Sequence, residues 1–170
     1  MFQPFPKSKN IEDNFKLLFQ AQSGLLAAEQ DRLATLANMS ALLNYFLDDI
    51  NWVGFYLLDT NNPDTLLLGP FQGLPACTRI AIGKGVCGTA AAQNQTLNIA
   101  DVHQFPGHIA CDANSRSELV VPLVENHKVI GVLDIDAPIT ARFSAAEQTY
   151  IEEFVAKLMN QLAAENEVPA

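Results

Sequence analysis

The sequence predicts an α+β fold, an antiparallel sheet with helices packed on it. Apolar residues recur at helical spacing near the two ends of the chain and at the alternating spacing of strands in its middle. The strands come as neighbouring pairs joined by short turns, which is typical of hairpins rather than of parallel strand–helix–strand units. A length of 170 residues fits one domain, so we expect a single domain over residues 1–170.

The charge balance restricts the partners. The chain has a formal net charge of −9 and only ten Lys and Arg residues. Nucleic acid and anionic membrane surfaces both bind through basic patches, so neither is an expected partner. The first residues lack the apolar segment of a signal peptide, and no apolar run approaches the ~18–20 residues that span a bilayer. We therefore expect a cytoplasmic protein.

Helices are expected at both ends of the chain. Two N-terminal helices cover about residues 11–47, the first ending at Gly24 and the second beginning at about Gln30, and each carries an apolar stripe. A C-terminal helix covers about residues 144–165. Its first residue is a serine, and Glu147 three residues later completes the capping-box pattern.

Strands and loops fill the segment between these helices, about residues 51–136. The expected elements are a strand 51–58, a turn 59–64, strands 65–69 and 78–82, a short helix 86–93, a strand 96–99, a long connection 98–117 and strands 118–125 and 128–136. A tight turn of Asn126 and His127 joins the last two strands into a hairpin. A long connection without periodicity is uncommon in a compact domain and is often functional.

All three cysteines, Cys77, Cys87 and Cys111, lie in the loop-rich middle of the chain. Each is close to glycine or proline where the backbone turns, rather than inside a periodic apolar segment where a packing cysteine is expected. Loop cysteines near a helix start or a histidine are placed for thiolate chemistry. An odd number of cysteines in a cytoplasmic protein favours a catalytic or sensing disulfide over a structural one.

Two patterns around these cysteines have alternative interpretations. Gly83–Gly88 has the G-x-G-x-x-G spacing of dinucleotide sites, but antiparallel hairpins precede it, so we interpret it as a tight strand-to-helix turn. The free N–H groups at that helix start favour an anion, either a ligand carboxylate or a Cys87 thiolate with a lowered pKa. A metal set could combine His103 and His108 with the cysteines, but no common zinc spacing is present, so we expect no metal.

Three carboxylates are expected to meet beside the long connection. Asp134 and Asp136 alternate at the end of an apolar strand, so both lie on one face. A regular two-residue turn pairs Glu118 with Ile135. A one-residue offset, from a bulge at Pro122, instead places Glu118 opposite one of the two aspartates and on their face. Repulsion in such a cluster raises the pKa of at least one acid, whereas in the alternative the acids are simply solvated.

Aromatic side chains mark a candidate pocket wall. Trp52 and Tyr56 lie on one face of their strand, and Gly54 lies between them. The missing side chain of Gly54 leaves a gap in which a ligand could pack against the rings. Ordinary core packing is the alternative.

Several segments, in order and at consistent spacing, resemble the GAF-fold family of free methionine-(R)-sulfoxide reductases. The matching segments are NWVGFY (51–56), LGPFQG (68–73), GVCGTA (85–90), DVH (101–103), FPGHIACD (105–112), SE (117–118) and GVLDID (131–136). The segment that contains Cys111 is the most specific of them. The resemblance covers the chain from about Asn51 to Phe143.

The resemblance implies a GAF-type sheet of about six antiparallel strands, with the terminal helices on its far face, in a homodimer. It implies that Cys111 attacks the sulfoxide sulfur, that Cys77 is the main resolving thiol and that Cys87 is a second or relay thiol. The substrate-binding residues of the family correspond to Trp52, Tyr56, Glu118, Asp134 and Asp136.

The implied substrate is free L-methionine-(R)-sulfoxide. A neutral carboxylic acid assists thiolate attack, a sulfenic acid forms, an intramolecular disulfide follows and thioredoxin reduces it. No cofactor is expected besides external thioredoxin or another dithiol. One alternative is a GAF-type module that binds a small ligand without chemistry, which needs no set of three loop cysteines. The other is a thiol redox sensor without a substrate.

Overall fold

The computed structural model describes residues 7–29, 31–107 and 113–166. Its helices are α1 (Ile11–Ala28), α2 (Arg32–Phe46), α3 (Gly85–Gln93) and α4 (Ala145–Asn166), and a 3-10 helix spans Val102–Gln104. Its strands are β1 (Trp52–Asp59), β2 (Asn62–Gly73), β3 (Arg79–Ala81), β4 (Leu97–Ile99), β5 (Ser117–Glu125) and β6 (Lys128–Ala137). The α+β class is confirmed.

The six strands form one sheet in the order β3-β2-β1-β6-β5-β4, and every neighbouring pair is antiparallel. Two hairpins, β1–β2 and β5–β6, supply the four longest strands. The central contact joins β1 to β6, so the first hairpin and the last hairpin of the chain meet in the middle of the sheet. This is the expected antiparallel sheet.

The N-terminal and C-terminal helices cover one face of the sheet, as expected. Helices α2 and α4 lie against the strands, and α1 packs on both of them. Alternate strand residues, including Phe55, Leu119 and Leu133, are buried there against Phe46 of α2 and Phe154 of α4. Full burial of one such side chain stabilises the fold by about 1.5–3 kcal/mol. This core leaves the other face of the sheet for α3 and the loops.

Side-chain caps fix the helix starts. The Asp31 carboxylate accepts a hydrogen bond from the Ala34 N–H at 2.8 Å, so α2 begins one residue later, at Arg32. At α4 the predicted capping box is confirmed, since the Ser144 hydroxyl accepts from the Glu147 N–H and the Glu147 carboxylate accepts from the Ser144 N–H at 2.9 Å. None of the helices in the described ranges combines the length and the apolar character needed to span a bilayer.

Several expected element boundaries are wrong, among them the end of the strand expected at 65–69, which continues to Gly73 in β2. Helix α1 does not end at Gly24 but continues to Ala28, because Leu26 is buried in the helix-side core and extends the apolar stripe. The expected turn 59–64 shrinks to Thr60 and Asn61, since the Asp59 carboxylate accepts from the Asn61 N–H at 2.9 Å and closes it. Pro63 therefore lies inside β2, within a register shift where its missing N–H removes no regular ladder bond.

Candidate active site

A register offset in the β5–β6 hairpin brings the acids together. Asn126 and His127 form the expected two-residue turn, with φ of 49° and 62°. The ladder then pairs Val124 with Val129 but Leu123 with Gly131, so Ile130 is the one extra residue. The expected offset is confirmed, although its position at Pro122 is wrong: Pro122 pairs regularly with Val132 and the extra residue is on the opposite strand.

The offset places Glu118 opposite Asp136 and Val120 opposite Asp134. On the other side of β6, Asp136 pairs with Trp52 of β1. Because side chains alternate between faces, the three acids and the Trp52 ring all lie on the α3 face of the sheet. The pairing of β1, β6 and β5 therefore brings together residues that are far apart in the sequence.

Two of the three acids are buried. Glu118 is 5% exposed and Asp134 is 6% exposed, whereas Asp136 is half-buried. Burial, followed by repulsion from the two aspartates, raises the pKa of Glu118 well above its usual range. Burial also raises the pKa of Asp134 to about 6, against hydrogen bonds that favour its charged form. These buried acids are not simply solvated, and the Oδ1 atom of Asp134 has no hydrogen-bond partner within the described ranges.

Cys87 adjoins the acids from the first turn of α3. Its side chain is 3% exposed, and its Sγ atom lies 3.8 Å from an oxygen of Glu118. Burial, followed by the charges of Asp134 and Glu118, raises the pKa of this thiol well above its usual range. The alternative of a lowered Cys87 pKa is wrong, because burial beside two acids outweighs the favourable field of the helix N-terminus.

The glycines before Cys87 form the expected strand-to-helix turn. Gly83 and Gly85 have φ of 80° and 60°, in the left-handed region that favours glycine. A Cβ atom on Gly88 would lie 2.3 Å from the Ala81 carbonyl oxygen, so only glycine allows this helix to approach β3 so closely. The N-cap residue of α3, Lys84, makes no side-chain capping hydrogen bond to the first N–H groups of the helix.

One set of donors in the described part of the chain has the proximity that a metal ion requires. Ligand atoms of Cys87, Glu118 and Asp134 all lie within 4.8 Å of one another. Such a sulfur and carboxylate set would suit a cation such as Zn²⁺. The histidine set considered from the sequence is different: His103 is exposed, with its Nε2 atom 2.9 Å from the Arg116 guanidinium, and His108 lies outside the described residues.

The aromatic wall is a closed stack. The Trp52 ring lies between Tyr56 and Phe71, with ring centroids 5.8 Å and 5.2 Å apart respectively. A Cβ on Gly54 would lie 2.8 Å from the Trp52 ring and 2.3 Å from the Cβ of Phe71. The expected gap at Gly54 is therefore wrong, because the Trp52 ring lies along its own strand and fills it. Phe71 was missed, although its place in the LGPFQG segment marks it.

The segment that carries Cys77 crosses the end of this stack. Cys77 is half-buried and disulfide-bonded, whereas Cys87 is free and is not its partner. The Tyr56 hydroxyl donates a hydrogen bond to the Cys77 carbonyl at 2.9 Å, and the Trp52 indole N–H donates to the Leu74 carbonyl at 3.1 Å. Cys111 lies outside the described residues.

Polar side chains fix both stems of the connection that contains Cys111. On its N-terminal side the Asp101 carboxylate accepts from the His103 N–H at 3.0 Å. On its C-terminal side the buried Ser115 hydroxyl accepts from the Asn51 amide at 3.1 Å. A backbone bond of 2.9 Å from Val102 to the Arg116 carbonyl joins the stems. Sequence reasoning missed these residues, since irregular backbone has no periodicity that would reveal them.

The arrangement offers three chemical functions on one face of the sheet. The raised pKa of Glu118 suits this acid to donate a proton, while Asp134 and Asp136 can balance a cationic group. The stacked Trp52 and Tyr56 rings, themselves buried, form an apolar wall on the same face. The start of α3 offers N–H groups to an anion. A small zwitterion with an apolar part matches this combination.

The fold places the chain in the class of GAF-domain proteins. The GAF domain family model matches residues 25–165, most of the described chain. Among curated proteins, the chain is 56% identical over 141 residues to the free methionine-R-sulfoxide reductase of Escherichia coli K12, covering 83% of this chain and 84% of that one.

Solved structures agree with the sequence comparison. The fRMsr of Staphylococcus aureus in complex with substrate superposes with a TM-score of 0.83 at 52% identity, covering 95% of this chain and all (100%) of that one. The free methionine-R-sulfoxide reductase of Neisseria meningitidis in complex with its substrate gives a TM-score of 0.90 at 39% identity, covering 98% and 99% of the two chains. The chain belongs to the free methionine-R-sulfoxide reductase family of GAF-domain proteins.

Proposed function

We propose that this protein reduces free L-methionine-(R)-sulfoxide to L-methionine. The observation that carries the proposal is the buried pair of Glu118 and Asp134 with raised pKa values, on the same face as the Trp52 stack. Family membership supports the choice of substrate, because relatives of 52% and 39% identity were solved with their substrate bound.

The substrate is a small zwitterion, and the site has a counterpart for each of its groups. The ammonium group binds at Asp134 and Asp136, which lie on the same face as Glu118. The carboxylate binds at N–H groups near the start of α3. The methyl-bearing sulfur packs against the ring edges of Trp52 and Tyr56. Recognition of both backbone charges excludes methionine sulfoxide inside a peptide, which lacks them.

Cys111 is the proposed nucleophile. Its thiolate attacks the sulfoxide sulfur, and Glu118 gives a proton to the sulfoxide oxygen, which otherwise leaves poorly. The oxygen passes to the cysteine, the sulfur of the substrate is reduced to a thioether, and Cys111 is left as a sulfenic acid. One thiolate, one proton and one sulfoxide thus give one sulfenic acid and one methionine.

Cys77 is the proposed resolving thiol. It is already disulfide-bonded while Cys87 is free, and the chain has three cysteines, which supports a Cys77–Cys111 pair. A relay role for Cys87 requires loss of its proton, which burial and the neighbouring acids disfavour. We therefore propose that Cys87 acts chiefly as a protonated thiol beside Glu118, within contact of its carboxylate.

Recycling and assembly follow the family expectation. Thioredoxin, or another dithiol, reduces the disulfide by exchange, with no other cofactor. Exposed Leu74, three residues before Cys77, leaves this segment accessible to a reductant. We further propose that residues 1–170 form one domain and that the protein works in the cytoplasm as a homodimer.

An epimer assay tests the proposed function. The reduced protein is supplied with dithiothreitol and with either the (R) or the (S) epimer of free L-methionine sulfoxide, and methionine is quantified. A parallel sample contains N-acetyl-L-methionine-(R)-sulfoxide amide, which lacks both backbone charges. We expect methionine from the free (R) epimer, none from the (S) epimer, and no N-acetyl-L-methionine amide from the blocked substrate, whose reduced product is quantified separately. Absence of methionine from both free epimers would rule out the reductase activity.

A further inference from the structure

Two buried aromatic side chains hold the segment that carries the resolving thiol. The Trp52 ring is 2% exposed and Tyr56 is 1% exposed, so each is fixed by packing. Each ring nevertheless directs its polar group at the same segment, Leu74–Thr78. The Trp52 indole N–H donates to the Leu74 carbonyl, and the Tyr56 hydroxyl donates to the Cys77 carbonyl.

The backbone before the segment is shaped to meet the indole ring. Gly73 pairs with Trp52 in the ladder and has φ of 135°, a conformation that L side chains rarely adopt. A Cβ there would lie 2.5 Å from the Cδ1 atom of Trp52. Glycine therefore lets the chain pass over the edge of the indole, which brings the Leu74 carbonyl to the indole N–H.

The far end of the segment is fixed as well. The Leu68 N–H donates to the Thr78 carbonyl at 3.0 Å, and Arg79 pairs with the buried Asp59 carboxylate at 2.5 Å. Burial and the neighbouring charge of Asp134 raise the pKa of Tyr56, so its hydroxyl remains a donor at all physiological pH values. Cys77 thus lies on a short segment that is hydrogen-bonded at its start, at the cysteine and at its end.

We propose that Tyr56 and Trp52 are positioning residues that hold Cys77 where it can condense with the sulfenic acid of the attacking cysteine. In that step the Cys77 sulfur attacks the sulfenic sulfur of Cys111, the S–S bond forms, and the hydroxyl leaves as water with the thiol proton. The inference rests on the proposed function for its substrate. A fixed thiol raises the effective concentration of one sulfur at the other. The same rings that contact the substrate would thereby set the rate of resolution.

A glutathione equilibrium tests the positioning role without any substrate. Wild type, Tyr56→Phe and Tyr150→Phe are equilibrated in glutathione redox buffers and quenched, and the disulfide fraction gives the effective concentration of the thiol pair. Tyr150 is a matched control because its ring stacks on Phe15 in the helix-side core, on the opposite face of the sheet from Tyr56. Because Tyr56→Phe loses one neutral hydrogen bond, we expect its effective concentration of the thiol pair to be about fivefold lower than in wild type. We expect no change in this quantity for Tyr150→Phe. An unchanged value for Tyr56→Phe would overturn the proposal.

A single-turnover experiment follows the condensation directly. One equivalent of free L-methionine-(R)-sulfoxide is added to reduced protein with a cyclic 1,3-dione that traps sulfenic acid. We expect more trapped Cys111 sulfenic acid in Tyr56→Phe than in wild type and in Tyr150→Phe. Equal trapping in all three proteins would contradict the positioning role. If wild type forms no methionine, the proposed function fails, while the glutathione measurement still decides the positioning role.

Discussion

Glu118 and Asp136 lie directly opposite each other across the β5–β6 ladder, although a regular hairpin with the same turn would pair Glu118 with Ile135. The single extra residue Ile130 causes the difference. Because side chains alternate, a one-residue slip would turn Glu118 away from the aspartates and into the helix-side core. The acid cluster of this site is therefore a consequence of strand register.

Replacement of Glu118 by Gln removes the proposed proton donor while keeping the shape of the side chain. We expect kcat to decrease by about 10²–10⁴-fold, the usual contribution of a general acid. Because burial raises the pKa of Glu118, wild-type kcat should decrease as pH rises through that pKa, and the Glu118→Gln variant should lose this decrease. Glu125→Gln, at the other end of β5, is the matched control. Unchanged kcat and an unchanged pH profile in Glu118→Gln would refute the donor role.

Asp134→Asn should stabilise the fold at neutral pH. The folded-state pKa of about 6 lies above the unfolded value of 3.8, so the folded state binds more protons between these pH values and stability decreases as pH rises through them. Removal of the charge should raise the free energy of unfolding by on the order of 2 kcal/mol at pH 7.5, and by nothing at pH 3. Urea unfolding at both pH values measures this. Lower stability of the variant at pH 7.5 would show that the charge is well compensated.

Cys87 should be inert in the folded, reduced protein. Burial and the adjacent acids keep its thiol protonated, so alkylation by iodoacetamide at pH 7.5 should reach Cys87 only after unfolding in guanidinium. Peptide mapping of the labelled protein gives the rate at each cysteine. The Cys87→Ser variant should still form the disulfide that contains Cys77. In the Cys77→Ser variant, methionine formation should stop after one turnover. Rapid labelling of native Cys87 would restore the relay role that the family resemblance implies.

Two glycine substitutions should have opposite effects. Gly54→Ala places a methyl group 2.3 Å from the Cβ of Phe71, so we expect destabilisation by about 1–3 kcal/mol and a disturbed aromatic stack. Gly24→Ala, inside α1 with no atom within 4 Å of the new methyl group, should stabilise by about 0.5–1 kcal/mol. Thermal unfolding of both variants is the measurement. Equal effects would show that the tight packing at Gly54 is not rigid.

The sequence predicted the parts of this fold that depend on periodic apolar patterns and local signals. The helix-side core, the hairpin turn at Asn126 and the capping box at Ser144 all follow from residues a few positions apart. The acid cluster was also predictable, since alternation placed Asp134 and Asp136 on one face and one bulge sufficed to add Glu118.

Other features depend on contacts between distant segments, which one sequence does not reveal. The orientation of the Trp52 ring along its own strand depends on Phe71, which comes from the neighbouring strand. The raised pKa of Cys87 depends on burial against acids 31 or more residues away, and this outweighs the helix N-terminus that is visible locally. The hydrogen bonds to the Cys77 segment likewise join β1 to a loop that no periodic pattern describes.

The identity of the attacking and resolving thiols is tested most directly by a disulfide map after one turnover. Reduced protein receives one equivalent of free L-methionine-(R)-sulfoxide, methionine is quantified, and the quenched protein is digested and mapped by mass spectrometry. We predict one methionine per chain and a disulfide that joins Cys77 to Cys111. A disulfide that contains Cys87, or the absence of methionine, would contradict the account.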